Sequence, residues 1–306
     1  MSAGGALRVL LLGANGQVGT ELQRSLAPLG ELIAATRSGQ LNGQSCEQAD
    51  CDNPPGLAAL VERVAPDVVV NAAAYTAVDR AEQERDAAWR VNAEAPAVLA
   101  SACARLDARL VHYSTDYVFD GRGTRPYRED DPPNPLGVYG ASKLAGEDAV
   151  RASGTSHMIF RTAWVYAAHS HNFLRTMLRL GSERDALRVV ADQVGTPTPA
   201  SLIADVTANA LRHPSAPAGT WHLTADGQTT WHGFAEAIFA GAVRRGLLPR
   251  APMVEPITTA DYPTPAARPA YSVLDTQRLR AAFGISLPPW QDGLGGVLDQ
   301  LSRVAG

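Results

Sequence analysis

Tyr139 and Lys143 are the pair of side chains in this sequence most suited to acid–base chemistry. They stand four positions apart at the start of a predicted helix over 138–152, so both side chains lie on one helix face. Reduction of a ketone delivers a proton to a developing alkoxide, and a phenol with a pKa of about 10 exchanges protons poorly at neutral pH. A neighbouring ammonium favours the phenolate and lowers that pKa. The spacing therefore predicts ketone chemistry at Tyr139; the alternative is an exposed helical lysine beside a partly buried tyrosine.

Lys143 is also the only lysine among 27 basic residues, the rest being arginine. A compact ammonium can serve a phenol and a ribose hydroxyl together, whereas a planar guanidinium does not fit that geometry. In an arginine-rich background, a lysine kept four residues after a tyrosine strengthens the catalytic interpretation.

Three glycines, Gly13, Gly16 and Gly19, follow the first predicted strand and open a predicted helix over 17–28. Glycines in such a turn let the backbone approach a pyrophosphate and pack the helix against the strand. Free N–H groups at the helix start then supply an anion site. We expect a dinucleotide here, although the spacing is G-x-x-G-x-x-G and a purely structural turn is the alternative.

The end of the second predicted strand, 32–36, bears on the choice between NAD and NADP. An acidic residue there binds the ribose 2′-hydroxyl of NAD, and a basic one accommodates the 2′-phosphate of NADP. The residues here are Thr36, Arg37 and Ser38, with no carboxylate. Arg37 therefore favours NADPH, with NADH as an acceptable alternative; a merely solvated loop arginine is the other interpretation.

These residues require a frame of alternating strands and helices. Strands are predicted at 7–12, 32–36, 67–73, 109–114 and 157–165, and helices at 17–28, 56–64, 79–105 (interrupted at Pro96) and 138–152. This order predicts an α/β fold, a Rossmann-type doubly wound parallel sheet with a smaller α/β C-terminal lobe. We expect residues 1–165 to form the dinucleotide-binding domain and 166–306 mainly a substrate lobe, interleaved because segments around 199–225 return to the sheet.

The second half of the chain is less regular. Strands are predicted at 189–190 and 221–223 and helices at 201–212 and 231–245, whereas 249–270, with six prolines, is predicted to be loop.

The composition excludes several classes of protein. A chain of 306 residues with 45% hydrophobic and 19% charged residues is not disordered, and a net charge of −4 gives no nucleic-acid-binding footprint. Three cysteines without a CxxC motif predict neither a disulfide framework nor a zinc site and indicate a cytoplasmic protein. No apolar run is long enough to span a membrane.

The longer motifs resemble those of one family. The matching segments are 13–19 (Gly-Ala-Asn-Gly-Gln-Val-Gly), 66–79, 114–121 (Ser-Thr-Asp-Tyr-Val-Phe-Asp-Gly), 139–143, 161–166, 192–198 and 268–290. Together they resemble the dTDP-4-dehydrorhamnose reductase family of extended short-chain dehydrogenases/reductases over nearly the whole chain. The resemblance implies NAD(P)H-dependent reduction of the C4 keto group of dTDP-4-dehydro-6-deoxy-L-mannose to dTDP-L-rhamnose, the last step of that donor's synthesis.

The resemblance also implies roles for individual residues. Tyr139 would donate the proton, Lys143 would tune its pKa and bind the ribose, and Thr115 would hydrogen-bond the substrate oxygen. The cofactor pyrophosphate would lie on Gly16, Gln17 and Val18, the adenine near Asp50 and Cys51, and the nicotinamide ribose beside Ala74, Tyr75 and Thr76. The nucleotide-sugar would contact Thr76, Val78, Asp116 and Trp164, although a tryptophan at a strand end is commonly core packing.

The resemblance also bears on metal binding and on the oligomeric state. Some members bind magnesium at a dimer interface through glutamates, but Glu21 has no acidic partner near 200–202, so we expect no metal. We expect a monomer or homodimer that binds a small nucleotide-sugar, with neither nucleic acid nor membrane as partner. Two alternatives remain: another nucleotide-sugar ketoreductase or epimerase of the extended type, and a non-catalytic NADP-binding regulatory subunit of a methionine adenosyltransferase.

Overall fold

The chain alternates short strands and helices through its first half. The strands are β1 (Leu7–Leu12), β2 (Gly30–Thr36), β3 (Gln40–Leu41), β4 (Gln44–Ser45), β5 (Glu47–Gln48), β6 (Val68–Asn71), β7 (Arg109–Thr115), β8 (His157–Thr162), β9 (Val165–Tyr166), β10 (Ala186–Val190), β11 (Val194–Gly195), β12 (Thr198–Pro199), β13 (Gly219–His222), β14 (Thr229–Thr230) and β15 (Met253–Ile257). The helices are α1 (Gln17–Leu26), α2 (Pro54–Val64), α3 (Val78–Ala81), α4 (Arg85–Trp89), α5 (Ala95–Leu106), α6 (Val138–Ala152), α7 (Phe173–Glu183), α8 (Ala200–Arg212), α9 (Trp231–Arg244), α10 (Gln277–Phe283) and α11 (Trp290–Ala305). Three 3-10 turns, Ala27–Leu29, Asp116–Val118 and Thr259–Asp261, and a π-helical turn, Arg90–Glu94, complete the list.

A seven-stranded parallel sheet forms the centre of the computed structural model, which describes residues 6–213 and 217–305. Its strand order is β13-β8-β7-β6-β1-β2-β5, so the order reverses between β1 and β6. Ligands of such sheets bind outside the carboxyl ends of the strands at this reversal. The predicted α/β fold with a doubly wound parallel sheet is confirmed.

Two predicted elements differ from the structure. The helical stretch predicted over 79–105 is interrupted elsewhere than at Pro96: α3 ends at Ala81 and α4 begins at Arg85, whereas α4, the π-helical turn and α5 follow one another without a gap. Pro96 lies in the first turn of α5, where the missing N–H of a proline is tolerated. The loop over 249–270 is also wrong in part, because β15 pairs in parallel with β10. Pro256 fits there because a residue at the edge of a sheet can lack an N–H without losing a hydrogen bond between strands.

Three hydrophobic clusters organise the interior. One covers each face of the main sheet, and the third, which includes Phe234, Phe239 and Trp290, lies between α7, α9 and α11. Strand β13 comes from the second half of the chain but pairs with β8 in the main sheet. The division into residues 1–165 and 166–306 stays a prediction.

A buried ion pair joins α6 to β8. The Arg161 Nε donates to Glu147 Oε1 at 2.9 Å and its Nη2 to Glu147 Oε2 at 2.7 Å, and the two side chains are 3% and 0% exposed. Arg151 donates a further bond to Glu147 Oε2 at 3.0 Å. The Phe119 ring lies 5.2 Å from the Arg161 guanidinium carbon. This bidentate arrangement fixes the rotation of α6 relative to the sheet.

Replacing Glu147 by alanine should lower the free energy of unfolding by about 3–5 kcal/mol, because it leaves the Arg161 charge buried without its partner. Urea unfolding followed by circular dichroism measures the change. The exposed pair Arg179–Glu183 provides the control, since Glu183→Ala should cost less than about 1 kcal/mol. Equal effects of the two substitutions would contradict the structural role assigned to Glu147.

Candidate active site

In the turn between β1 and α1, two glycines are required by the packing of the backbone, whereas the third has free space beside it. A Cβ on Gly19 would lie 2.0 Å from the Gly13 carbonyl oxygen, and Gly13 itself has a φ of +73°, so both are required by the backbone. At Gly16 a Cβ would approach only the Gly13 oxygen, at 3.3 Å. Gly16 is also the N-cap of α1, and among the described residues no side chain caps it. The first N–H groups of α1 are therefore available to an anion.

A cavity of about 450 Å³ opens beside this turn, at the sheet edge where the strand order reverses. Of the residues that the sequence assigns to the cofactor, the cavity is lined by Gly13, Gly16, Arg37, Asp50, Cys51, Ala74 and Tyr75. Asn15, Asp52, Arg80, Glu84 and Val91 line it as well and were not predicted. An elongated ligand with an anionic centre fits this combination of a glycine turn and a cleft.

Four other residues that the sequence assigns to the cofactor, Gln17, Val18, Gly19 and Thr76, are not among those that line the cavity. Gln17, Val18 and Gly19 form the first turn of α1 behind the glycine turn. The Gln17 side chain accepts a hydrogen bond from Asn172 Nδ2 at 3.0 Å, so a residue of the second half holds it. Thr76 is exposed on the loop that leaves β6, and Val78 begins α3.

Ion pairs form the rim of the cavity at its Arg37 end. The Arg37 Nε lies 3.4 Å from Asp50 Oδ1, and its Nη2 donates to Asp52. Asp52 also accepts from the Arg90 Nε at 3.2 Å. Arg37 is therefore not merely solvated, because its guanidinium group is paired with two carboxylates within the cleft.

Tyr139 lies where α6 meets the end of β7. Gly140 allows this approach, because a Cβ there would lie 2.2 Å from the Tyr117 carbonyl oxygen. Burial raises the pKa of Tyr139 to about 12, while a hydrogen bond with the Thr115 side chain acts in the opposite direction. Thr115 donates to Asp116 Oδ1 at 3.0 Å and accepts from the Tyr117 N–H. The structure thus brings Tyr139, Thr115 and Asp116 together.

Lys143 is 2% exposed, and its Nζ donates to the Tyr113 carbonyl oxygen at 2.6 Å. Burial lowers the pKa of this ammonium to about 8, and the Glu147 carboxylate opposes the shift. In this structure burial dominates the phenol pKa, and the Lys143 ammonium donates to β7. The expectation that Lys143 lowers the pKa of Tyr139 stays a prediction. Both groups are nevertheless held on one face of α6.

Burial also raises the pKa of Asp116, to about 6, with the neighbouring Ser272 and Thr115 hydroxyl groups opposing the shift. Asp116 is 2% exposed. A buried carboxyl beside Tyr139 can accept a hydrogen bond from a polar ligand, which suits the substrate contact expected of it.

The Trp164 ring packs tightly against its neighbours, so it is not a free surface for a ligand. Its ring stacks on Trp231 with centroids 3.6 Å apart, and a Cβ on Gly195 would lie 2.4 Å from Trp164 Cε2. Its φ of +48° is unusual for a side chain of this size. The packing alternative is therefore present in the structure, and a contact with substrate would use the part of the indole that these neighbours leave uncovered.

Asn92 is a buried positioning residue that sequence reasoning missed. It lies in the π-helical turn, is 1% exposed, and its Oδ1 accepts from the Tyr75 N–H at 2.9 Å. Its Nδ2 donates to the Tyr75 carbonyl at 3.0 Å and to Ser142 Oγ at 3.1 Å. One side chain therefore joins the cavity loop to α6. Its sequence context gives no clear signal, because the neighbouring Arg90 and Glu94 make a polar residue ordinary in this helical segment.

Asn92→Ala should lower the free energy of unfolding by about 1–3 kcal/mol for each backbone group of Tyr75 that it leaves buried and unpaired. Chemical unfolding measures the loss. Asn134→Ala removes an exposed amide that bonds Asp120 and should change stability by less than about 0.5 kcal/mol. A neutral Asn92→Ala variant would show that Tyr75 is held by other contacts.

The sheet, the glycine turn and the Tyr139–Lys143 helix define an oxidoreductase of the extended short-chain dehydrogenase/reductase type. Residues 7–303 match the family model described as the RmlD substrate binding domain. The chain belongs to the dTDP-4-dehydrorhamnose reductase family.

Relatives match over nearly the full length. The chain is 51% identical to the dTDP-4-dehydrorhamnose reductase of Burkholderia thailandensis, over 94% of this chain and 97% of that protein. It is 46% identical to the Escherichia coli K12 enzyme of the same name, over 96% and 98%. The solved structure of the Bacillus anthracis dTDP-4-dehydrorhamnose reductase in complex with NADP superposes with a TM-score of 0.88 at 36% identity, over 97% of this chain and all of that one. The family expected from the motifs is confirmed.

Within 6–213 and 217–305, no three His, Cys, Asp or Glu side chains are grouped so as to hold a metal ion. In the same residues, every helix is too short or too polar to cross a membrane.

Proposed function

We propose that this protein reduces the C4 keto group of dTDP-4-dehydro-6-deoxy-L-mannose with NADPH, giving dTDP-L-rhamnose. The observation that carries the proposal is that Tyr139, Thr115 and Lys143 lie on adjoining elements, β7 and α6, and that β7 pairs with β6, whose following loop lines the cleft of the glycine turn. The relatives that match over the whole chain carry the name of this reaction. NADH is the alternative reductant.

The cofactor residues form a continuous surface in this proposal. The N–H groups of Gln17 and Val18 would hold the pyrophosphate at the turn of Gly13, Gly16 and Gly19. Asp50 and Cys51 would contact the adenine, and Arg37 would bind at the 2′ position of the ribose. Ala74, Tyr75 and Thr76 would contact the nicotinamide ribose, and Asn92 keeps the Tyr75 backbone in place.

Proton delivery is assigned to Tyr139. A bound nicotinamide cofactor supplies the hydride that the ketone carbon accepts. Because burial raises its pKa to about 12, the Tyr139 phenol is protonated at neutral pH and holds the proton that the developing alkoxide needs. Thr115 is buried beside the phenol, where its hydroxyl can hydrogen-bond the same substrate oxygen and orient it.

Lys143 stabilises the negative charge that remains on Tyr139 after proton transfer. Its ammonium is fixed by the Tyr113 carbonyl and is almost fully removed from water, so its field acts through a medium of low polarity. We place the sugar nucleotide on the opposite side of Tyr139, against Asp116, Val78 and Trp164.

The direct test mixes the purified protein with NADPH and enzymatically prepared dTDP-4-dehydro-6-deoxy-L-mannose and follows the loss of the near-ultraviolet absorbance of the reduced cofactor. Parallel reactions contain NADH, or UDP- and GDP-linked keto sugars. We expect turnover of the dTDP-linked sugar, and Tyr139→Phe should abolish it while leaving cofactor binding intact. Faster turnover of a UDP- or GDP-linked sugar would contradict the substrate assignment. An active Tyr139→Phe variant would overturn the mechanism.

Lys143→Arg should lower kcat/KM at least about tenfold, a loss of about 1.4 kcal/mol of transition-state stabilisation. The positive charge is kept, but a guanidinium is too large for a site that is 2% exposed and closed by the Tyr113 carbonyl. Steady-state kinetics measure the loss. Arg179→Lys, an exchange of the same two side chains at an exposed position, should have wild-type kinetics; a wild-type Lys143→Arg enzyme would exclude the geometric role.

A further inference from the structure

We propose that Asp52 sets the cofactor preference of this protein by competing with a ribose 2′-phosphate for Arg37. The inference rests on the proposed function, because it concerns the same cleft and the same nicotinamide dinucleotides. It adds a specificity-determining residue that lies outside the set expected from the sequence.

The geometry gives Asp52 two arginine partners. Its Oδ2 accepts from Arg37 Nη2, and its Oδ1 accepts from Arg90 Nε at 3.2 Å. Arg37 and Asp52 both line the cavity, and Arg90 comes from the π-helical turn. Asp52 therefore links the loop after β2 to the segment that also holds Asn92.

Asp50 plays a different part in the same cluster. Its Oδ1 accepts the Asp52 N–H at 3.1 Å, which fixes the turn at 50–53, and lies 3.4 Å from Arg37 Nε. Its carboxylate is thus tied to the local backbone, whereas both oxygens of Asp52 are used only by arginine side chains in the described residues. Two carboxylates and two guanidinium groups leave this end of the cleft close to neutral.

This neutrality has opposite consequences for the two dinucleotides. A 2′-phosphate carries a charge of about −1.5 to −2 and gains most from an arginine that is not already paired. Here it must displace Asp52 from Arg37 and then lie beside the displaced carboxylate. A 2′-hydroxyl brings no charge and can donate a hydrogen bond to a carboxylate of the pair. Arg37 is 71% exposed, so its ion pairs are weak enough for a phosphate to displace them. NADPH binding is therefore allowed but not strongly preferred.

Asp52→Asn removes the competing charge with little change in shape. Isothermal titration calorimetry of the full-length protein with NADP⁺ and with NAD⁺, without sugar substrate, measures both affinities. We expect NADP⁺ to bind at least about fivefold more tightly, the lower end of usual coupling between charged sites. NAD⁺ affinity should stay within about twofold, which is the size of a screened surface charge effect.

Two further variants separate this role from a general change in surface charge. Asp185→Asn removes a carboxylate from an exposed pair with Arg250, away from the cavity lining, and should leave the NADP⁺ to NAD⁺ affinity ratio unchanged. In an Arg37→Ala background, Asp52→Asn should change that ratio much less than it does alone. The gain in NADP⁺ affinity should also shrink in about 1 M salt, where the Debye length falls to about 3 Å.

An unchanged affinity ratio in Asp52→Asn, or an equal change in Asp185→Asn, would overturn the role of Asp52 while leaving the proposed function in place. A wild-type protein that binds neither dinucleotide would overturn both. Thermal unfolding of each variant verifies that the affinities refer to folded protein.

Discussion

The buried face of helix α6 is the constraint on which the rest of the structure depends. Tyr139, Lys143 and Glu147 occupy successive turns of this face, and each is held by a different part of the sheet. Glu147 forms the bidentate pair with Arg161 of β8, Lys143 bonds the Tyr113 carbonyl of β7, and Tyr139 lies beside Thr115 at the end of β7. Because the turn with Glu147 is fixed by a buried ion pair, the turns with Lys143 and Tyr139 have little freedom to rotate. The fold therefore holds the phenol of Tyr139 and the ammonium of Lys143 in fixed positions.

The cleft is formed in a different way: its ligand site consists of backbone that the fold leaves uncovered. Gly13 and Gly19 are required for β1 and α1 to lie together, but Gly16 is not crowded by the protein. The uncapped start of α1 and the space over Gly16 face the point where the strand order reverses. Side chains then complete the cleft, among them Arg37 with its carboxylates and those of the Tyr75 loop.

The sequence alone predicted the frame and much of the site, because these depend on local patterns. The apolar runs, the glycine turn and the spacing of Tyr139 and Lys143 are all readable within a few residues. What could not be predicted depends on residues distant in sequence. Asn92 reaches Ser142 over fifty positions, and Asp52 meets both Arg37 and Arg90. The rise of the Tyr139 pKa through burial could not be predicted either, since the degree of burial follows from packing and not from the spacing of two residues. Strand β15 was hidden by prolines that an edge strand tolerates.

The position of β13 in the sheet has a consequence for how the protein is made. Strand β8 is complete once the ribosome has synthesised residue 162, but its free edge is covered only when β13 arrives, at residues 219–222. Until then Phe160 lacks its neighbour Trp221, whose ring centroid is 6.1 Å away in the finished protein. An open strand edge with apolar side chains is a template for wrong pairing. The nascent sheet is thus at risk of wrong pairing for some sixty residues of translation, and a truncated chain that stops before β13 keeps that exposed edge permanently.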